Sequence, residues 1–343
     1  MGAPRTSKLP ANAAAAKPPV APQISLRSRS LVSMADLNPK EFDLVLSVAQ
    51  MVKASPRDYR SALEGKQLVM IFEKPSLRTR VTFEAGMKSL GGEAIFLDQR
   101  GSRICDREEV RDVARNLDRW VDGVVLRTYE HSTISEMAKY ARIPVINALS
   151  DLEHPCQALA DFLTLKEKFT DLHSVKLAYV GDGNNMAHSL ILAAALAGAT
   201  IAVATPHGYE PCAEIIRGAG VIATTTGARI EITNDPAAAV ADADAVYTDV
   251  WASMGQEGET DERRRAFAGF QVNEALMAKA KPHAIFMHCL PAHRGDEVSA
   301  GVIDSPRSVV FDQAENRLHV QKVILILLLG EARRRFPARG AEA

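Results

Sequence analysis

Cysteine is scarce in this chain. Its four residues, Cys105, Cys156, Cys212 and Cys289, lie far apart with no Cys-x-x-Cys pair. That spacing argues against a disulfide framework or a structural zinc site and fits a reducing compartment. Long apolar runs are missing too. The longest, Leu190–Ala197 and Val323–Leu329, have eight and seven residues, against the roughly 20 that a membrane-spanning helix needs. Neither charge sign dominates: 41 basic and 42 acidic residues leave −1, which is no electrostatic footprint for nucleic acid. What is present is ordinary globular material. The 343 residues are 47% hydrophobic and 24% charged, and at roughly 150 residues per domain that makes about two domains.

Residues 1–26 stand apart. They are rich in Ala and Pro, carry Arg5, Lys8 and Lys17, and no acid appears before Asp36. A basic, acid-poor leader is the composition of an organelle-targeting peptide, which would place the protein in the mitochondrial matrix. Five prolines (Pro4, Pro10, Pro18, Pro19 and Pro22) would break the amphipathic helix of such a peptide. The preferred reading is therefore a disordered tail on a cytoplasmic protein.

Further on, short apolar runs alternate with helical stretches. The runs are Leu68–Phe72, Ala94–Leu97, Gly123–Leu126, Pro144–Ala148, Val175–Val180, Thr200–Ala204, Ala245–Asp249, Ala284–Met287 and Ser308–Phe311. Most are Val- and Ile-rich without polar alternation, as in strands buried on both faces. Between them lie helix signals. Pro155 suits a first helical position, Gly91-Gly92 can end a helix that begins near Ser76, and Asp235-Pro236 opens an Ala-rich stretch. The rhythm predicts repeated βαβ units: two doubly wound α/β domains with mainly parallel sheets, dividing near 165–175. The apolar stretch from His319 to Arg335 predicts a last helix that packs back on the first domain.

Ligands of open parallel sheets bind beyond the carboxyl ends of the strands. Seven of the predicted strands lead into polar residues, among them Ser76, Arg78, Arg127, His154, Asn185, Asp249, Cys289 and Arg317. Seven such ends suggest a cleft between the domains. Ser76 can cap a helix whose free N–H groups bind phosphate, and Arg78 adds a forked cation. Arg80 points to another face, where Glu84 is an i+4 partner. Arg127 ends an apolar strand, where a charge needs a partner or ligand. His288, Cys289 and His293 lack a second close ligand cluster, so no metal is expected. Gly181-x-Gly183 lacks a third glycine, since Met186 stands there, so a dinucleotide cofactor is not expected either.

Together these segments carry a family resemblance. Ser76-Leu77-Arg78-Thr79-Arg80 resembles the phosphate loop of the aspartate/ornithine carbamoyltransferase superfamily. His154-Pro155-Cys156-Gln157, Asp249 with Ser253-Met254-Gly255, and His288-Cys289-Leu290-Pro291 look like its ornithine branch. The resemblance implies a transferase in arginine biosynthesis that makes L-citrulline and phosphate from carbamoyl phosphate and L-ornithine. It implies no cofactor, and a homotrimer in which a neighbour's loop completes each site. By the same resemblance, Ser76, Leu77 (through its backbone), Arg78 and Thr79 hold the phosphate. Arg127, His154 and Gln157 hold the carbamoyl end, with Arg317 near. Asn185, Asp249, Ser253 and Met254 hold ornithine, and Cys289 and Leu290 lie beside the reacting amine. The catalytic set is Arg127, His154, Asp249 and Cys289. The implied division is a tail at 1–26, a carbamoyl phosphate domain at 27–165, an ornithine domain at 166–316 and a returning helix at 317–343. Two positions depart from the family. Leu77 stands where Thr is usual, and Arg103 stands where the intersubunit loop usually carries Gln. Rival readings are a carbamoyltransferase for another amine, a silent regulatory paralogue and a nicotinamide dehydrogenase.

Overall fold

The computed structural model describes residues 26–99, 103–252 and 257–330. Among them, two parallel sheets carry the fold. β1 (Gln67–Phe72), β2 (Glu93–Asp98), β3 (Gly123–Arg127) and β4 (Val145–Leu149) form the first, in the order β2-β1-β3-β4. β5 (Lys176–Val180), β6 (Thr200–Ala204), β7 (Arg229–Thr233), β8 (Ala245–Thr248) and β9 (Ile285–His288) form the second, in the order β7-β6-β5-β8-β9. The helices beside the first sheet are α1 (Pro39–Ala54), α2 (Leu77–Ser89), α3 (Val110–Leu117), α4 (His131–Tyr140) and α5 (Pro155–Phe169). Those after it are α6 (Asn185–Ala197), α7 (Ala213–Thr226), α8 (Pro236–Val240), α9 (Thr260–Ala266), α10 (Glu274–Met277), α11 (Ala300–Ile303) and α12 (Val310–Leu329). No helix of the described residues is long and apolar enough to cross a membrane.

Local chemistry explains most of these boundaries. Asn38 and Glu41 form a capping box in front of α1, with Pro39 at its first position. Ser76 caps α2 by accepting the Thr79 N–H at 3.3 Å. Pro155 takes the first position of α5, as its sequence predicts. α2 ends just before Gly91, whose φ is +86° and where a Cβ would stand 2.8 Å from the Arg60 carbonyl. Glycine is needed there.

Central strands are buried almost throughout. β3 and β8 are buried at every residue, and β5 and β6 at all but the first. That is why they read as continuous apolar runs. β7 does not. It is an edge strand with the sequence Arg229-Ile230-Glu231-Ile232-Thr233, partly exposed along its whole length. Its polar residues alternate with isoleucines, so it forms no apolar run in the sequence.

One expected strand is not there. Ser308 makes a single parallel bridge to Phe286, and α12 then begins at Val310. Phe311 is 77% exposed on that helix. Val309 and Val310 bury their side chains at the helix start, which mimics a strand in sequence. Arg317 therefore lies on a helix rather than after a strand. α12 returns to the first sheet's helices and packs against α1, α2 and α5, as expected of the last helix. Residues 1–25, Ser253, Met254 and Gly255 lie outside the described residues.

Candidate active site

Chain order reverses at two places. In the first sheet, β2 lies on one side of β1 and β3 on the other. In the second, β6 lies on one side of β5 and β8 on the other. Such switch points open a crevice at the strand carboxyl ends. Ser76, Arg78 and Thr79 follow β1, and Arg127 closes β3. Asn184 and Asn185 follow β5, and Asp249 follows β8. Topology thus puts Ser76, Arg78, Thr79 and Arg127 at one reversal and Asn184, Asn185 and Asp249 at the other, while His154 and Gln157 follow β4, Cys289 and Leu290 follow β9, and Arg317 comes from α12.

At the first switch point the charge is positive. Arg127 and Arg317 are buried, at 7% and 3% exposure. Burial, then Arg317 and Arg78, push the Arg127 guanidinium down to about 9. Burial also lowers Arg78 and Arg317. Three arginines that feel one another in a poorly hydrated place form a site that wants a multivalent anion. Thr79 belongs to the same group, because Arg317 Nη2 donates to its Oγ1 at 2.7 Å. Arg317 Nη1 donates to Gln157 Oε1 at 2.9 Å. Leu77 is 76% exposed at the first position of α2 and contributes no side chain here. Arg80 is held outside by Glu84 at 2.9 Å and lies over the Phe96 ring, in keeping with its structural reading.

His154 sits beside this cluster, 4% exposed, just before α5. Its backbone N–H donates to Ser189 Oγ at 2.8 Å, which ties it to α6. Burial, then Arg317, Arg127 and Arg78, hold the imidazole well below its ordinary 6.5. It is therefore neutral at pH 7, with one ring N–H to give. Its Nδ1 is buried without a hydrogen-bond partner among the described residues.

At the second switch point the charge is negative. Asp249, 6% exposed, accepts from Val250 N–H at 2.8 Å, the Cys289 thiol at 3.0 Å and Asn184 Nδ2 at 3.2 Å. Asn184 caps α6 through Oδ1, which accepts from Met186 N–H at 2.9 Å, so its amide is oriented with Nδ2 toward Asp249. Asn185 instead donates to the Ser150 carbonyl at 2.6 Å, bridging the two sheets. Burial, followed by the Asp249 carboxylate, holds the Cys289 thiol well above its ordinary range. Cys289 is thus a thiol that donates to Asp249, not a thiolate nucleophile. Leu290 has φ +60°, an unusual conformation for a branched residue, and its N–H donates to His288 Nδ1 at 2.8 Å.

Asp249, His288 and Cys289 bring three potential ligand atoms within 4.8 Å of one another. Each is already engaged: Asp249 and Cys289 with each other, and His288 with Leu290 N–H and with Glu297 at 3.3 Å. The trio reads as a hydrogen-bonded turn.

Arg103 lies over the Tyr129 ring, just past the end of β3. It is exposed, and its guanidinium pairs with Glu130 rather than with Asp106; Asp106 instead accepts the Arg103 N–H at 2.6 Å. Sequence reasoning also passed over several buried polar residues. Glu73 accepts from Ile104 N–H at 3.0 Å and Tyr129 N–H at 2.9 Å, joining the 103–106 segment to the end of β3. Asp161 and Gln313 are wholly buried under the cleft. An acid or amide inside an apolar helical stretch was the available signal.

Comparison with known proteins agrees with this geometry. Residues 29–167 match the family model "Aspartate/ornithine carbamoyltransferase, carbamoyl-P binding domain". Residues 173–328 match "Aspartate/ornithine carbamoyltransferase, Asp/Orn binding domain". An ornithine carbamoyltransferase of Pyrococcus abyssi is 51% identical over 91% of this chain and 99% of its own. One of Anoxybacillus flavithermus is 53% identical over 89% and 98%. The solved ornithine carbamoyltransferase of Pyrococcus furiosus superposes with a TM-score of 0.86 at 51% identity, covering 89% of this chain and 98% of that one. With both halves matched and identity near half along most of its length, the chain belongs to the aspartate/ornithine carbamoyltransferase family, in its ornithine branch.

Proposed function

We propose that the cleft transfers the carbamoyl group of carbamoyl phosphate to the side-chain amine of L-ornithine, giving L-citrulline and phosphate. The observation that carries this reading is the pairing of one crevice lined by Arg78, Arg127 and Arg317 with another lined by Asp249. An anion and an ammonium-bearing amino acid are the complementary ligands. The carbamoyl phosphate side is assigned to 27–165, the ornithine side to 166–316, and the returning helix to 317–343.

Ser76, Arg78, Thr79 and the Leu77 backbone N–H receive the phosphate at the start of α2. Arg127, Arg317, His154 and Gln157 take the carbamoyl end. Attack needs a neutral amine. An amine of pKa near 10.4 costs about 4.6 kcal/mol to deprotonate at pH 7. The positive crevice disfavours an ammonium. As the neutral amine bonds to the carbonyl carbon, negative charge grows on the carbonyl oxygen, where Arg127 and the neutral His154 donate hydrogen bonds. The carbon–oxygen bond to phosphate then breaks, and the departing phosphate takes the amine's extra proton. Asn185, Asp249, Ser253 and Met254 orient ornithine. Cys289 fixes the Asp249 carboxylate from behind, with Leu290 beside the amine. Positioning supplies much of the rate.

The assembly belongs to the same proposal: a homotrimer in which Arg103 of one subunit reaches its neighbour's phosphate. Leu77, Val81, Ile95 and Leu97 are exposed on α2 and the edge strand β2. An apolar face beside a sheet edge that no described strand covers supports a subunit contact there. The Pyrococcus furiosus relative is named an anabolic ornithine carbamoyltransferase, which supports a place in arginine biosynthesis, and we assign the protein to the cytoplasm. Citrulline formation from carbamoyl phosphate tests the reading, with ornithine run against acetylornithine, aspartate and putrescine. Turnover confined to ornithine is expected. Equal or better use of another amine would overturn it.

A further inference from the structure

Beneath the cleft lies a carboxylate that the mechanism above does not use. Asp161, on the second turn of α5, is 0% exposed. Its Oδ1 accepts from Gln157 Nε2 at 2.8 Å and from Gln313 Nε2 at 2.9 Å. Its Oδ2 accepts from the Tyr247 hydroxyl at 3.1 Å. These partners come from α5, α12 and β8, so three elements meet on one side chain.

The orientation of both amides is forced by their outer partners. The atom of Gln157 that faces Arg317 must be the oxygen, because a guanidinium only donates. The atom of Gln313 that faces the His288 N–H, at 2.9 Å, must also be the oxygen. Both Nε2 groups therefore turn inward, and only an acceptor at 161 receives them. Outward, one branch runs through Gln157 and Arg317 to Thr79 at the phosphate helix. The other runs through Gln313 and His288 to Leu290, which follows Cys289. The first ends among the carbamoyl phosphate residues and the second among those beside Asp249.

We infer that Asp161 is a positioning residue for carbamoyl transfer: it aims the Gln157 oxygen at the carbamoyl phosphate side and, through Gln313, sets the Cys289 turn on the ornithine side. This rests on the function proposed above. Asp161 touches neither substrate. It acts by holding two amides in the one orientation that serves both halves of the cleft, and so registers one sheet's ligand crevice against the other's.

Three variants test it by steady-state kinetics, with thermal melts alongside. Asp161→Ala removes the common acceptor and should raise KM for both substrates at least tenfold while lowering kcat. Asp161→Asn keeps an oxygen in the Oδ1 place, with its amide turned to Tyr247. It should recover most of that loss, staying within about tenfold of the wild type. Gln313→Ala cuts only the second branch. It should raise the ornithine KM or lower kcat while leaving the carbamoyl phosphate KM within twofold. A fall in melting temperature for Asp161→Ala with both KM values unmoved would reduce Asp161 to a structural role and overturn the inference. Asp161→Asn as damaged as Asp161→Ala would overturn it in favour of charge. If Asp161→Ala does not fold, equal damage to both substrates in Gln313→Ala refutes the two branches. A wild-type enzyme without citrulline synthesis would instead refute the underlying function.

Discussion

Replacing Arg78 with alanine separates a binding cation from a stabilising one. Arg78 is half-buried, and burial lowers its pKa. It adds repulsion to Arg127 and Arg317, both of which are pushed down partly by its charge. Its removal should therefore leave the ligand-free protein as stable as the wild type or slightly more so. Carbamoyl phosphate, in contrast, loses a charge-assisted hydrogen bond of about 1.5–3 kcal/mol, or roughly 10- to 150-fold in affinity. Calorimetry reads that change directly, and thermal melts read it through linkage. At a ligand concentration of 100 times Kd, binding stabilises the fold by about 2.7 kcal/mol. With about 2.1 cal/mol/K of unfolding entropy per residue, a chain of this length should melt about 4 °C higher. Arg78→Ala should lose about half to nine tenths of that rise at the same ligand concentration, with an unshifted ligand-free melt. An unchanged carbamoyl phosphate affinity would refute the reasoning. A lower ligand-free melting temperature would show that Arg78 holds the fold rather than the phosphate.

Asp249→Asn should weaken ornithine by 10- to 150-fold and carbamoyl phosphate far less; the new amide also opposes Asn184 Nδ2, which cannot flip because its Oδ1 caps α6. Equal weakening of both substrates would point to general damage. Cys289→Ser should lower turnover with the fold intact, since the partner of Asp249 changes in size and reach; wild-type kcat would remove Cys289 from the site. Mixing Arg103→Ala subunits with Arg78→Ala subunits should restore activity above both parents if Arg103 works in its neighbour's site, and no recovery in mixed trimers confirmed by mass would exclude it. Asp161, raised from 3.8 to about 6 by burial, binds its proton more tightly folded than unfolded. Its ionisation therefore costs the native state stability as pH rises through 4 to 6, by about 3 kcal/mol at most. Asp161→Asn should gain on the wild type across that window in urea melts, and a pH-independent difference would refute the shift.

Strands that lie between neighbours are buried on both faces, so β1, β3, β5, β6 and β8 were legible as apolar runs. Caps act over three or four residues, so Ser76, Pro155 and Asp235 announced their helices locally. The candidate residues at strand ends were legible because parallel sheets use that edge for ligands, and the family resemblance gave them roles. β7 and the start of α12 were not legible. β7 alternates polar and apolar residues, unlike the other edge strands, and Val309-Val310 reads alike whether it opens a helix or a strand. Which partners met was decided only by tertiary structure. Arg317 reaches Thr79 across 238 positions and Gln157 across 160; Gln313 reaches Asp161 across 152. No local pattern encodes such pairs. Whether a buried charge is a ligand site, a cap or a strut depends on which donors and acceptors the packed sheets bring within about 3 Å of it. Local sequence set the pieces and their edges; the packing of α12 and of the two sheets settled what Arg127, His154, Asp161 and Cys289 face, and hence how each is charged.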